Sequence, residues 1–302
     1  MAVAENNGDL IMTYWLIGIY AVNIVIAVGA LFAFRYLAGV LAGVNVKDEL
    51  AHKDNFAFGL SMAGGLTALC LVMSAAVTGE AAVSLLAEAT HVMTYAVSGL
   101  VLLKLGMLVN EKVILRGFSI KQKIAENNLA VGTTSAVNLM AQGLIIAAAV
   151  KWIEVDDWTG IGAVALVWLA SQLVLLAVTR LRMAIYKKRH QGGCWQDAIA
   201  AGNCALAIRY AGQIIATALA VTAVSNIVLY APSLILYSVA AWLAYSLAMV
   251  VVIWLLYRLV LPAILPGVDI VSEVDDQQNI GVAFIEASIF IGIAVILKSL
   301  LV

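Results

Sequence analysis

The sequence predicts an all-α membrane protein: eight transmembrane helices in four parallel two-helix repeats, grouped into two four-helix halves, with both termini outside. Three observations carry that expectation. The first is composition. Of 302 residues, 64% are hydrophobic and 12% charged, with a mean hydropathy of +1.03, which is too apolar for a domain that must cover itself with polar side chains. The second is a phrase written four times, at Asn55-Phe56-Ala57-Phe58-Gly59, Asn128-Leu129-Ala130-Val131-Gly132, Asn203-Cys204-Ala205-Leu206-Ala207 and Asn279-Ile280-Gly281-Val282-Ala283, with separations of 73, 75 and 76 residues. The third is charge placement: 14 of the 17 Lys and Arg lie in loops inside the repeats, and retention of basic loops assigns those loops to the cytoplasm.

Crossing a bilayer core of about 30 Å as helix takes about 20 mostly apolar residues. Eight runs qualify: Thr13 to Leu37, Phe56 to Thr78, His91 to Val109, Leu129 to Val150, Gly160 to Met183, Cys204 to Tyr230, Ser233 to Leu259 and Ile280 to Leu301. The polar N-terminus, Met1 to Asp9, places no basic stretch before the first run, so no cleavable signal peptide is expected. Each repeat reads as an outer helix, a short amphipathic segment, and a helix opened by the Asn phrase. The segments are Val46 to Asp54, Phe118 to Asn127, Cys194 to Gly202 and Asp269 to Gln278. In the first, Val46, Leu50 and Lys53 share a side, as in a helix lying at the headgroups. The fourth is acidic where the second is basic. Two spans per repeat bring successive repeats in from the same side, as parallel copies about an axis along the membrane normal. The polar, Trp-flanked loop Lys151 to Thr159 separates the halves, residues 1–155 and 156–302. Pro262 and Pro266 are expected to end the seventh helix. The outer face should be acidic, from Glu5, Asp9, Glu80, Glu88, Glu154, Asp156 and Asp157, and belted by Tyr14, Trp15, Trp152, Trp158 and Tyr230.

Counted from each Asn, every copy has Gly or Ala at +2, +4, +8 and +13, and Ala or Ser at +20. On a wheel of about 100° per residue, +4, +8 and +15 form one stripe and +2, +13 and +20 an opposed one. Small residues on both sides let backbones approach closely, which is how helices associate in lipid. The second helix of each repeat is therefore expected to be an inner one. Its polar flank carries Ser61; Thr134, Ser135, Asn138 and Gln142; Arg209 and Gln213; and Glu286. A charge deep in lipid costs about 3 kcal/mol or more, and Arg209 and Glu286 both lie about 10 Å past their Asn at a rise of about 1.5 Å per residue. They are candidate partners. One reading makes Arg209, Glu286, Gln213, Asn138, Gln142 and Ser135 the lining of a polar cavity; the other makes them a buried ion pair and amide cluster that fixes register and conducts nothing. The motif residues Asn55, Asn128, Asn203 and Asn279 read as helix N-caps or interfacial hydrogen bonders, with direct ligand contact as the alternative.

The phrase KDELAHKDNFAFGLSMAGG and its partner FSIKQKIAENNLAVGTTSA resemble the YjfL-like family of bacterial inner-membrane proteins, the domain of unknown function numbered 350. Family members are commonly one four-helix module, and this chain resembles two in tandem. The second half departs from the pattern at Gly202-Asn203-Cys204 and Gln278-Asn279-Ile280. The resemblance implies a multi-pass protein of the bacterial inner (cytoplasmic) membrane with no established activity. Its genes often neighbour phage-shock-like proteins and ligases similar to glutathionylspermidine synthetase, which implies an envelope-stress or polyamine-related context.

No stretch offers catalytic chemistry: there is no GxxxxGK[ST] loop, no HExxH, no GxSxG and no carboxylate cluster with metal-ligand spacing. Cys70, Cys194 and Cys204 have no metal-like spacing and read as unpaired. The expectation is no enzyme, cofactor, metal or nucleic acid. The partners expected are the lipid bilayer, a second copy in a homo-oligomer and a cytoplasmic protein. Two functions compete: a channel or small-solute or ion transporter with its path between the polar flanks, and a non-conducting scaffold recruiting partners through its charged segments.

Overall fold

A computed structural model describes residues 2–78, 82–115, 117–153 and 158–301. The expectations placed on Glu80, Glu154, Asp156 and Asp157 fall outside these residues, as do the side chains of Glu5, Asp9 and Trp158. The described residues form ten α-helices: α1 (Ala2–Ala42), α2 (Phe56–Ala76), α3 (Leu85–Val109), α4 (Ile120–Ala125), α5 (Leu129–Trp152), α6 (Trp158–Arg189), α7 (Trp195–Ala200), α8 (Cys204–Ala223), α9 (Ile235–Ile264) and α10 (Ile280–Leu300). All but the short α4 and α7 are long and apolar enough to cross a membrane. The chain is a multi-pass membrane protein.

The Asn phrase starts four of these helices by one device. The residue before each Asn, namely Asp54, Asn127, Gly202 or Gln278, has a positive φ of 47°, 57°, 96° or 55°, so the chain reverses there. Asp, Asn and Gly adopt this left-handed geometry most readily. Each Asn then turns extended and its side chain accepts from the amide three residues on: Phe58, Val131, Leu206 and Val282, at 2.9, 3.0, 2.9 and 3.2 Å. All four Asn are N-caps, satisfying amides that an opening helical turn leaves without partners.

Helices α2, α5, α8 and α10 stand side by side in that order, and α1, α3, α6 and α9 form a second row behind them. The small-residue stripes mediate the first row. A Cβ added to Gly132 (+4) would lie 2.8 Å from the Cα of Ala57 (+2), one on Gly143 (+15) would lie 2.5 Å from that of Ala68 (+13), and one on Gly64 (+9) would lie 2.5 Å from that of Ala136 (+8). Gly212 (+9) meets Ala287 (+8) in the same way. One helix thus offers +2, +9 and +13 to the +4, +8 and +15 face of its successor.

Several expectations change. The row has ends: 72% of the apolar window is buried in both α5 and α8, against 44% in α2 and 33% in α10. α5 and α8 are inner helices, while α2 and α10 flank them and do not pack together among the described residues. No closed axis is formed. Helix α6 runs on to Arg189, because nothing in Arg180 to Arg189 breaks a helix, and α9 passes through Pro262 to Ile264, where a proline in the last turn removes a single helical bond. The sixth predicted run, Cys204 to Tyr230, also shortens: α8 ends at Ala223 and tightens into a 3₁₀ turn, Val224–Asn226. Trp152 is no belt residue; it is buried, donates to the Val228 carbonyl at 2.5 Å, and packs edge-on against Tyr230 and Trp242. Glu88 is buried too, receiving Asn23 Nδ2 at 2.8 Å, so it adds nothing to a surface field. The first interhelical segment forms a π-helical turn, Asp48–His52, that buries Glu49 and leaves Leu50 exposed.

Candidate functional site

The six residues predicted to share one cavity divide between two. Ser135, Asn138 and Gln142 line a cavity of about 510 Å³ among α1, α2, α3, α4 and α5. Their polar atoms are engaged: Ser135 pairs with Ser61 at 2.8 Å, Asn138 donates to the Thr134 carbonyl at 2.7 Å and accepts from the Tyr210 hydroxyl at 3.0 Å, and Gln142 exchanges amide bonds of 2.8 Å with Gln172 while accepting from the Trp168 indole. All three side chains thus make hydrogen bonds within the protein while lining this cavity. Phe34, Leu37, Met62, Leu100 and Leu103 make much of the remaining wall apolar.

Arg209, Gln213 and Glu286 line a second cavity, of about 390 Å³, among α6, α8, α9 and α10. Equal depth does pair the two charges: Arg209 Nε donates to Glu286 Oε2 at 2.6 Å. The network is larger than the sequence suggested. Arg209 Nη1 donates to Asp275 Oδ1 at 2.5 Å and its Nη2 to the Ile270 carbonyl at 3.2 Å, while the Tyr257 hydroxyl donates to Glu286 Oε1 at 2.6 Å. Arg209 is thereby neutralised by two carboxylates, as a buried guanidinium must be. Asp275 sits in the π-helical turn Ser272–Asp276, outside the spanning segments. Burial pushes its carboxyl above the usual Asp range, against the opposing pull of Arg209, His190 and Arg189. His190 Nε2 lies 3.7 Å from Asp275 and 3.6 Å from Asp276.

What remains in this cavity is positive. Arg182, Arg189, Arg209 and Arg258 line it with two carboxylates, Asp275 and Glu286. Arg182 belongs to none of the ion pairs here, and its buried Nε has no hydrogen-bond partner among the described residues. Its guanidinium carbon is 5.2 Å from the Phe290 ring centroid, and Phe290 stacks on Tyr257 at 4.0 Å. A cation–π contact of this kind occupies no N–H donor. Arg258 lies over Trp254 at 4.3 Å in the same fashion. The chemistry on offer is the Arg182 guanidinium, its Nε without a partner among the described residues, in a partly open cavity rimmed by the exposed Arg189 and Arg258, which suits a carboxylate, phosphate or sulfate group.

Sequence reasoning missed Arg182, Asp275, Tyr257 and His190. Arg182 stands at the end of the predicted fifth span and His190 beyond it, within a basic run that reads as a loop, and Asp275 reads as surface charge. The signal available was spacing: Asp275 stands four residues before Asn279, where Ile124 stands before Asn128. No groups of His, Cys, Asp and Glu suited to a metal occur among the described residues.

No curated protein and no solved structure matches the chain. A family model described as "Domain of Unknown Function (DUF350)" matches it twice, over residues 11–150 and 155–301.

Proposed function

The chain belongs to the DUF350 family in both of its halves, and from that premise we propose that it is a small-solute transporter or channel whose second half binds an anion. In this reading the four two-helix repeats enter a bacterial inner membrane from the same side. The capped ends of α2, α5, α8 and α10 face the cytoplasm, as the basic loops direct, and both termini lie outside. The cavity between α6, α8, α9 and α10 then opens toward the cytoplasm. The observation that carries the proposal is Arg182. It enters the cavity with a guanidinium that has no ion pair among the described residues and an Nε without a hydrogen-bond partner there, beside an Arg209 already balanced by Asp275 and Glu286, so an anion completes the charge balance.

The scaffold alternative loses much of the surface it would need. Of the acidic segment, Asp275 is buried against Arg209, the Asp269 carboxylate accepts from the Val271 and Ser272 amides, and the Glu273 carboxylate accepts from Asn279. Asp275 is thereby withdrawn from a partner, while Asp269 and Asp276 stay exposed. A cationic solute such as a polyamine is disfavoured by four arginines against two carboxylates.

The test is uptake by purified protein in sealed liposomes, with labelled sulfate and labelled spermidine as separate probes. Saturable sulfate uptake that disappears in Arg182→Ala supports the proposal. Spermidine uptake without sulfate uptake, or vesicles that stay tight to both, overturns it.

A further inference from the structure

Within the chain, three junctions in the first row follow one rule. The motif Asn caps its own helix with its side-chain oxygen and donates its amide to a backbone carbonyl just ahead of the next cap. Asn55 Nδ2 reaches Ile124 O at 2.9 Å, Asn128 Nδ2 reaches Ala200 O at 2.8 Å, and Asn203 Nδ2 reaches Asp275 O at 3.3 Å. Behind the first clasp the +2, +9 and +13 face of α2 meets the +4, +8 and +15 face of α5, and behind the third Gly212 (+9) of α8 meets Ala287 (+8) of α10.

The fourth copy has no successor. Asn279 Nδ2 donates to Glu273 of its own segment at 2.8 Å. Asn55 makes the corresponding bond to Glu49 and still reaches the next unit with its second hydrogen, so Asn279 holds a donor in reserve. The joining face of α10 carries Gly281 (+2), Ser288 (+9) and Gly292 (+13), with Ser299 at +20; Gly281, Ser288 and Ser299 are exposed, and a Cβ on Gly292 would meet nothing within 4 Å. At the opposite end, the receiving face of α2 carries Gly59 (+4), Ala63 (+8) and Cys70 (+15); Ala63 and Cys70 are exposed, as is Ala51, four residues before its Asn. The two ends are the two halves of the junction already built three times.

We propose that α10 of one molecule docks on α2 of a second copy of this chain, continuing the row in register. The occupant is identified by that continuity. A generic acyl chain cannot fill small-residue grooves as well as a helix that presents Ala, Ser and Gly at the same heights, and in lipid close packing and hydrogen bonds drive association. The contact is heterologous, so repeated copies form a ring if the turn per copy closes and a line if it does not.

Cysteine cross-linking of the full-length protein in native membranes tests this. In the internal template a Cβ on Gly143 would lie 2.8 Å from the Cβ of Ala68, so the native Cys70 (+15) of one copy falls within disulfide reach of a cysteine at Gly292 (+13) of the next. In a background of Cys194→Ser and Cys204→Ala, mild oxidation of Gly292→Cys should give a ladder of covalent multimers. The ladder should be lost when Cys70→Ser is added, and Ile291→Cys, turned toward another side of α10, should give none. A second pair, Ala63→Cys with Ser288→Cys, repeats the test at +8 and +9. Monomers in both pairs, or a ladder of equal intensity from Ile291→Cys, would overturn the proposal.

Discussion

The two halves of the molecule use the same backbone junction and bury different chemistry in it. Position +6 of the first helix meets position +7 of the second in both. In the first half these are Ser61 and Ser135, hydroxyl to hydroxyl at 2.8 Å; in the second they are Arg209 and Glu286, at 2.6 Å. The lesson is about necessity. A hydroxyl pair, with a net contribution of about 1 kcal/mol, is enough to hold this junction in register, so the second half does not need an ion pair for packing. The charges there, joined by Asp275, Tyr257 and Arg182 around a cavity, are what the proposed anion site calls for.

The comparison breaks most sharply if the charged half tolerates the loss of one partner. Glu286→Leu should destabilise the protein by about 3 kcal/mol or more, because it leaves Arg209 under-neutralised in a buried site, and Arg209→Met with Glu286→Leu should recover most of that loss. Ser135→Ala in the first half should cost about 1 kcal/mol. Thermal unfolding in detergent reads all three, and a harmless Glu286→Leu would remove the distinction.

A second pair of variants asks whether the packing is equivalent, as the account requires. Gly64→Val and Gly212→Val should each cost about 1–3 kcal/mol, since the added side chain meets the backbone of Ala136 or Ala287 and overpacking in a close-packed site is costly. Gly292→Ala, in open space, should lie within about 0.5 kcal/mol of the parent protein. A costly Gly292→Ala in detergent-solubilised monomer would mean that the end of the row is not free.

The caps sharpen the contrast between interior and end. Asn128→Ala and Asn203→Ala each remove a cap, worth about 1 kcal/mol, together with a bond to the next unit; Asn279→Ala removes a cap and a local bond. Hydrogen exchange in the first turns of α5, α8 and α10 should show faster opening in the first two variants than in the third.

The smallest effect is one of sign with pH. Hydrogen bonds from Lys53 and Asn55 hold the Glu49 carboxyl below the usual Glu range, so its contribution to stability is present above that range and is lost as pH falls through the depressed value. Burial holds Asp275 above the usual Asp range. The folded second half therefore takes up a proton more readily than the unfolded chain, and its stability falls as pH rises from the usual Asp value through the raised one. Amide exchange at Phe58 and at Asn279 should move in opposite directions across mildly acidic pH. Parallel movement would contradict the assignment of these two carboxylates.

Much of this architecture was legible because it repeats. The four Asn caps, the small residues at +2, +4, +8 and +13, and the equal depth of Arg209 and Glu286 are all local patterns that periodicity exposes. What the sequence hid is partnership across distant segments. Glu88 looks like a surface acid until Asn23, 65 residues away, is found against it. Asp275 looks like part of a charged surface turn because its burial depends on Arg209 and on a π-helical geometry that no spacing announces. Arg182 was hidden by a helix that continues through a basic run, where polarity suggested a loop. The open ends of the row were also illegible, since four equal copies are as consistent with a closed ring as with a line.

The central claim is that the second cavity holds a positive charge awaiting an anion. Calorimetric titration of sulfate into the purified, detergent-solubilised protein, at fixed ionic strength, tests it most directly. The account predicts a saturable one-site isotherm that is abolished in Arg182→Ala and retained in Ser135→Ala. An isotherm unchanged by Arg182→Ala, or no heat of binding in the parent protein, would contradict it.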